Sequence, residues 1–294
     1  MKLLGIAGPS GSGKTTLVER LVGRLDGRGR VATVKHVDHG VDVDREGKDT
    51  SRHRAAGAAE TYALTDDGAW FATGEDHTLE DVLDDLAPDY DYALVEGYSG
   101  ADIPTVALGG RDHEGETVAA APDVDDVDLD AVLAALEEQE PFETLSSLVA
   151  RAKQSPDAVY SGAIATFTGR VRTKEGPDDE ATELLEFEKY DGVAAEKMAA
   201  IREDLEAREG VYEVLLHHRT GVVESGEDIV FVVVLAGHRG EAFETVADGI
   251  NRLKAEVPLF KKEVTVADEF WAHQHDTGVE PAGDPQVPDT GTED

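Results

Sequence analysis

Positions 252 to 263 read RLKAEVPLFKKE, with Arg252, Lys254, Lys261 and Lys262 gathered around Pro258 and only Glu256 and Glu263 to balance them. The chain as a whole carries 63 Asp+Glu against 27 Lys+Arg, a formal net charge of -36. A local surplus of cations in such a chain points to a pocket for anions. Lys254 falls four residues after Ile250 and three before Val257, at the edge of the buried stripe of an amphipathic helix. Partial burial beside other cations is expected to lower its pKa, which would let it exchange a proton or attack a carbonyl carbon at neutral pH. Lys261 and Lys262 follow the proline corner, and strand alternation sends them to opposite faces, so only one can share a pocket with Lys254. Further cations stand at strand ends: Arg170 and Arg172 in FTGRVR, His218 and Arg219 in HHRTG, His238 and Arg239 in GHRGEAF. If they converge, they can hold a phosphate and a second anionic group, with arginine giving bidentate contacts. Singly, each is explained as well by capping, by snorkelling or by a satisfied backbone group.

A second constellation lies near the N-terminus. GPSGSGKT, Gly8 to Thr15, fits G-x-x-x-x-G-K-[ST] between a strand and a helix. Glycines let consecutive N–H groups turn inward onto phosphate oxygens, and the helix N-terminus adds its positive dipole end. Gly8, Ser10, Gly11, Ser12, Gly13, Lys14, Thr15 and Thr16 are the candidate nucleotide-binding residues. Lys14 is expected to reach the β- and γ-phosphates, and the Thr15 hydroxyl to ligate Mg²⁺. Glu96, ending YALVEG, stands where a metal-side carboxylate belongs, though a solvated strand-end acid would look the same. Lys35, His36, His39, Asp42, Asp44, Lys48 and Asp49 crowd the loop after the second strand, where a metal site and a polar lid over the phosphates both fit. No Asn-Lys-x-Asp signature is present, so spacing leaves GTP and ATP open.

The elements that must position these residues read as two domains. In residues 1–140, KLLGIAG, RVATVKH and YDYALVEGY are strands, with TTLVERLVGRL and DVDDVDLDAVLAALEEQEP as helices. Alternating strands and helices imply an α/β P-loop NTPase domain on a mostly parallel sheet. In residues 142–274, GAIATFTGRVR, TELLEFEKY, VYEVLLHHRTG, EDIVFVVVLAGH and KKEVTVAD are strands. VAAEKMAAIREDLEAREG and EAFETVADGINRLKAEV are the helices, the second with Phe243, Val246, Ile250, Leu253 and Val257 as one apolar stripe. That order implies an α+β domain with a mostly antiparallel sheet. Residues 275–294 lack apolar periodicity and read as an acidic, disordered tail.

Dispersed acidity argues against nucleic acid or an anionic membrane as partner and resembles proteins kept soluble in concentrated salt. With no cysteine, disulfides, zinc–thiolate sites and cysteine nucleophiles are excluded, and any sulfur handled must come from a partner. MKLLGIAGPSG is too short and glycine-broken for a signal peptide, and no apolar run approaches membrane-spanning length. A soluble, cytoplasmic protein is expected.

The runs GPSGSGKTTL, VKHVDH, GKDTSRHRAAGA and LVEGY resemble the molybdopterin-guanine dinucleotide biosynthesis protein B family. The resemblance implies a GTP-binding accessory domain with Mg²⁺ and weak hydrolysis. GAIATFTGRVR, LEFEKYDGVAAEKM, HHRTGVVESGEDIVFVVVLAGHRGEAFE and LKAEVPLFKKE resemble the large, catalytic subunit of molybdopterin synthase over residues 142–273. That implies a sulfurtransferase that converts cyclic pyranopterin monophosphate to molybdopterin, taking sulfur from the C-terminal glycine thiocarboxylate of a ubiquitin-like small subunit. By this resemblance Arg172, His238, Arg239, Lys262 and Glu263 bind substrate, and Lys254 and Lys261 are the essential pair; Arg170, a cation at the same strand end as Arg172, is added to the substrate-binding set. It also implies a homodimer, or a heterotetramer with the small subunit. Phe260 stands where that family commonly has tryptophan, which keeps an aromatic wall. Two rivals remain: a P-loop small-molecule kinase, and a nucleotide switch fused to a docking platform for a ubiquitin-like protein.

Overall fold

The run KLLGIA becomes β1 (Lys2–Ala7), buried along nearly its whole length, as a strand covered on both faces must be. The structure is a computed structural model and describes residues 1–37, 49–177, 179–189, 191–265 and 269–273. It divides into two units, Met1–Arg151 and Ala152–Asp294. In the first, β1 is followed by α1 (Lys14–Leu25), β2 (Val31–Lys35), α2 (Asp49–Ala55), β3 (Glu60–Leu64), β4 (Trp70–Gly74), α3 (Leu79–Leu86) and β5 (Tyr92–Glu96). β6 (Thr105–Leu108), β7 (Thr117–Ala121), α4 (Leu129–Glu138) and α5 (Leu145–Lys153) complete the set.

Five of these strands form one sheet in the order β2-β5-β1-β6-β7, parallel at every pairing. The parallel α/β expectation therefore holds, with β3 and β4 added as a separate antiparallel hairpin. Leu17, Leu21 and Leu25 of α1 are fully buried against Leu4, Ile6 and Leu94 of the sheet. The register sets Lys35 beside Glu96 at the carboxyl ends of β2 and β5. That end of the sheet is where the β1–α1 turn opens.

The second unit runs β8 (Ala163–Arg170), β9 (Thr182–Lys189), α6 (Asp191–Glu206), β10 (Val211–His218), β11 (Gly221–Glu224), β12 (Asp228–Ala236), α7 (Arg239–Glu256), β13 (Leu259–Thr265) and β14 (Glu269–His273). The strands are antiparallel, as expected, and divide into two sheets, β10-β12-β8 and β11-β9-β13-β14. β12 is buried over eight of its nine residues, because α6 and α7 cover its sheet through Ile201, Leu205, Val246, Ile250 and Leu253.

One expectation fails on α7. Phe243 is 66% exposed, and the buried face is Ala242, Thr245, Val246, Gly249, Ile250 and Leu253. The helix packs so closely that Gly249 lies against Val232, where an added Cβ would stand 3.2 Å from the Val232 methyl carbon Cγ1. So close an approach turns the small residues inward and leaves Phe243 outside. The readings made for His39, Asp42, Asp44 and Lys48, and for the tail, lie outside the described residues.

Candidate functional site

The first unit holds a cavity of about 720 Å³ lined by Gly8 to Gly11, Gly13 to Thr16, Lys35, His36, Glu96, Gly97, Ser99 and Arg111. This size suits a small-molecule ligand. Gly11 and Gly13 adopt φ of 80° and 86°, which lets the turn curl back over the cavity. Gly13 immediately precedes α1 and gives the helix no side-chain cap, so the first-turn N–H groups remain available to an anion. The Ser12 hydroxyl is buried with no hydrogen-bond partner among the described residues. An added Cβ on Gly8 would lie 2.4 Å from it. Lys14 Nζ donates to the carbonyls of Gly8 (2.7 Å) and Pro9 (2.8 Å).

Thr15 Oγ1 donates to both Glu96 carboxylate oxygens at 3.1 and 3.2 Å. Lys35 Nζ lies 2.8 Å from Glu96 Oε1 and 3.2 Å from Thr15 Oγ1. The Glu96 side chain is 10% exposed, so it is not a solvated strand-end acid: it sits under the P-loop with a hydroxyl and an ammonium upon it. A hydroxyl and a carboxylate bridged by a cation are the donor set Mg²⁺ takes beside a bound phosphate. His36 turns its ring edge-on to Tyr98, centroids 4.9 Å apart. Among the described residues no group of three His, Asp or Glu could hold a metal on its own. Lys35 and His36 line the cavity.

Sequence reading passed over Arg111. It follows β6 and a Gly109–Gly110 turn, lines the cavity, and makes no ion pair among the described residues. Most other described arginines are engaged by a carboxylate; nothing in the sequence around Arg111 marks it, and only the fold brings it to the cavity.

In the second unit the centre is Glu263. It accepts hydrogen bonds from Thr182 Oγ1 (2.6 Å) and Lys261 Nζ (3.2 Å). Burial pushes its carboxyl upward, but the bonds from Thr182 and Lys261 and the charges of Lys261 and Arg172 outweigh that and leave the pKa lowered. Thr182 is tied through its N–H to the Thr173 carbonyl (2.8 Å), which holds the Arg172 loop beside β9. Arg172 itself pairs with Glu175 at 2.6 Å. Lys262 faces the other way and meets Glu186, its cross-strand neighbour, at 3.9 Å.

Arg170 pairs with Asp228 at 3.2 Å, at the end of β8 that registers with the start of β12. α7 runs back over β12, so its last turn, carrying Lys254, lies toward that same end. Lys254 is exposed, so the burial expected for it is missing in the single chain. Arg252 departs from the cationic set altogether, locked onto Asp204 (3.0 Å) and Glu256 (2.7 Å). His218 is 4% exposed, with its ring edge-on to Phe187 and Nδ1 2.7 Å from the Arg219 carbonyl. Arg219 is held by the Asp228 carbonyl and Glu227. These two are structural.

His238 and Arg239 are exposed at the opposite end of α7. At 1.5 Å per residue this 18-residue helix is ~27 Å long. One chain therefore brings Arg172, Lys261 and Glu263 together, pairs Arg170 with Asp228 at the end of β8, leaves Lys254 exposed in the last turn of α7, and holds His238 and Arg239 at the other end of that helix.

Fold and sites define a P-loop nucleotide-binding unit joined in one chain to a cation-bearing α+β unit. Residues 3–133 match the family described as molybdopterin guanine dinucleotide synthesis protein B, and residues 137–256 match the MoaE protein family. A probable molybdopterin synthase of Haloferax volcanii is 54% identical over 273 residues, 93% of this chain and 99% of that protein. The molybdopterin synthase catalytic subunit of Pyrococcus abyssi is 40% identical over 38% of this chain and 74% of that protein. The molybdopterin-guanine dinucleotide biosynthesis adapter protein of Haemophilus influenzae is 40% identical over 42% of this chain and 70% of that protein. The chain belongs to the molybdopterin synthase catalytic-subunit family of molybdenum cofactor biosynthesis, carried behind a molybdopterin guanine dinucleotide synthesis protein B domain.

Proposed function

We propose that the second unit transfers sulfur from the C-terminal thiocarboxylate of a ubiquitin-like small subunit to cyclic pyranopterin monophosphate, building the dithiolene of molybdopterin. The observation that carries this reading is the cluster of Lys261, Arg172 and Glu263 in a chain of net charge -36. Substrate phosphate and donor thiocarboxylate are both anions and repel each other unless cations lie between them. The thiocarboxylate sulfur attacks an oxygen-bearing carbon of the pterin side chain, and as the new carbon–sulfur bond forms the carbon–oxygen bond breaks, its oxygen leaving protonated or with the phosphate. When water then adds to the acyl carbon of the sulfur-linked partner, its carbonyl oxygen becomes an oxyanion that Lys261 and Arg172 stabilise. The acyl–sulfur bond then breaks, sulfur stays on the pterin, and the partner leaves as a carboxylate. Glu263 holds the Lys261 ammonium in place through its 3.2 Å bond, and exposed Lys254 is free to meet the reactants and supply a proton. Arg170 flanks the cluster as a further anion ligand.

Because α7 keeps His238 and Arg239 far from Lys254, a complete cradle takes those two residues from a second copy, and a homodimer or a heterotetramer with the small subunit supplies it. The first unit binds GTP: Gly8 to Thr16 surround the phosphates, Lys14 leaves its carbonyls for the β- and γ-phosphates, and Thr15 and Glu96 hold Mg²⁺. Bound Mg²⁺ would neutralise phosphate charge there, in support of a later guanine-nucleotide step and with slow hydrolysis.

The reconstituted reaction, with cyclic pyranopterin monophosphate and thiocarboxylated partner, tests the reading through molybdopterin formed. Lys254→Ala and Lys261→Ala are each expected to lower the rate ~100-fold, and full activity in either removes its role. Mixing Lys254→Ala with Arg239→Ala chains is expected to restore part of the activity, since one of the two cradles in a mixed pair is intact. No recovery on mixing places Arg239 in the same chain's site or outside it.

A further inference from the structure

Lys35 has no part in the sulfur-transfer reading, and the P-loop pattern does not include it. It stands beside Glu96 in the parallel register, and its ammonium touches both groups a metal would use, Glu96 Oε1 at 2.8 Å and Thr15 Oγ1 at 3.2 Å. Thr15 and Glu96 also contact each other, so ammonium, hydroxyl and carboxylate close a ring. The carboxylate is 10% exposed, and an ion so far out of water is costly without a counter-charge. The Lys35 side chain is 55% exposed on a flexible stem, so it can leave without disturbing the core.

We infer that Lys35 is a stand-in for Mg²⁺: it neutralises Glu96 and orients Thr15 while the metal is absent, and must withdraw when the metal enters. The inference rests on the nucleotide-binding reading of this unit. Mg²⁺ holds oxygen ligands at about 2.1 Å, closer than any ammonium contact, so metal and ammonium cannot share the Thr15–Glu96 pair. Lys35 lines the same cavity as Lys14, so once displaced it remains at the wall of the site a nucleotide phosphate would fill. Lys14 rests on the carbonyls of Gly8 and Pro9, and Lys35 on Glu96. Loading Mg²⁺ with nucleotide releases both onto one polyanion, so metal and nucleotide entry are coupled. The device also lets the site accept nucleotide weakly without metal, with Lys35 as the remaining counter-ion.

Binding of a fluorescent GTP analogue to the full chain, titrated with Mg²⁺ from excess EDTA upward, tests this. Lys35→Met is expected to lower the half-saturating Mg²⁺ about tenfold and to weaken the residual binding in EDTA severalfold. Lys35→Arg, which keeps the charge, should stay within about twofold of the parent on both counts. An unchanged or raised Mg²⁺ requirement in a folded Lys35→Met chain overturns the inference while leaving nucleotide binding intact. No binding by the parent chain at any Mg²⁺ concentration removes the nucleotide reading, and the inference with it. A crystal structure of the unaltered chain with Mg²⁺ and a non-hydrolysable GTP analogue needs no variant. It is expected to show Lys35 Nζ beyond hydrogen-bonding distance of Glu96 and turned to phosphate. Lys35 still on Glu96 with metal bound to Thr15 overturns the inference.

Discussion

Glu263 shows how one side chain can set the charge state of a site. Its bonds from Thr182 and Lys261, with the nearby charge of Arg172, outweigh burial and hold its carboxyl below the ordinary glutamate value. A carboxyl whose folded pKa is depressed adds stability above its unfolded pKa, and loses it as pH falls through the folded value. Glu263→Gln is therefore expected to cost ~1–2 kcal/mol near neutral pH. The gap should shrink to nothing as both chains are acidified below the usual glutamate range, read as chemical unfolding at a series of pH values. A pH-independent gap would mean the loss comes from packing instead of charge. The same loss of the Lys261 anchor should reduce sulfur transfer in Glu263→Gln, though less than removing Lys261 itself. At this scale the motif Gly8–Thr15 was readable because its spacing is local: each residue acts through the turn it stands in. Arg252 and Lys254 are two positions apart and look alike in sequence, yet the first is held by Asp204 from α6 and by Glu256 and the second is not. Only contacts distant along the chain tell them apart.

Helices and strands were legible where a run is long and its burial follows one period. α1, α7, β10 and β12 match their expected spans closely. The segments α2, α3, α5, β6 and β7, the hairpin β3–β4 and the short β11 and β14 were missed, because runs of four to nine residues carry too little pattern. The stripe on α7 was set one position wrong at its start, since periodicity identifies a face but not how close the neighbour comes. Gly249 beneath Val232 decided that. Two substitutions separate the readings. Leu253→Ala removes a fully buried side chain and is expected to cost about 2–5 kcal/mol. Phe243→Ala, at 66% exposure, should stay within about 0.5 kcal/mol. Equal losses in denaturant titration would restore the single stripe. The length of α7 also makes a prediction of its own, because a helix that separates Arg239 from Lys254 makes activity depend on pairing of chains. Dilution below the dimer constant should then abolish sulfur transfer while leaving the fold intact.

A net charge of -36 is a property of the whole chain. Self-repulsion among like charges opposes the compact state, and salt shortens its reach from about 10 Å at 0.1 M to about 3 Å at 1 M. The melting temperature is accordingly expected to rise as KCl goes from about 0.1 to 2 M, followed by circular dichroism. A flat or falling curve would mean that ion pairs such as Arg151–Glu143, screened by salt, count for more than the repulsion. Each unit has its own core, so two unfolding transitions are expected. GTP with Mg²⁺ at ~100 times its Kd should stabilise the first unit by ~2.7 kcal/mol and leave the second where it was.

Composition and local pattern by themselves determined a good deal: no thiol chemistry, a P-loop between strand and helix, parallel alternation followed by antiparallel pairs, and cations sparse enough to mark where anions go. These are properties of neighbours along the chain or of its sums, and they need no folding to be read. Tertiary structure alone decided which cations meet. It put Lys35 on Glu96, left Arg111 at the cavity without an ion pair among the described residues, buried His218 against Phe187, and set His238 and Arg239 at the other end of α7 from Lys254. The reason is physical: Coulomb and hydrogen-bond energies depend on distances in space, which packing sets and sequence separation does not.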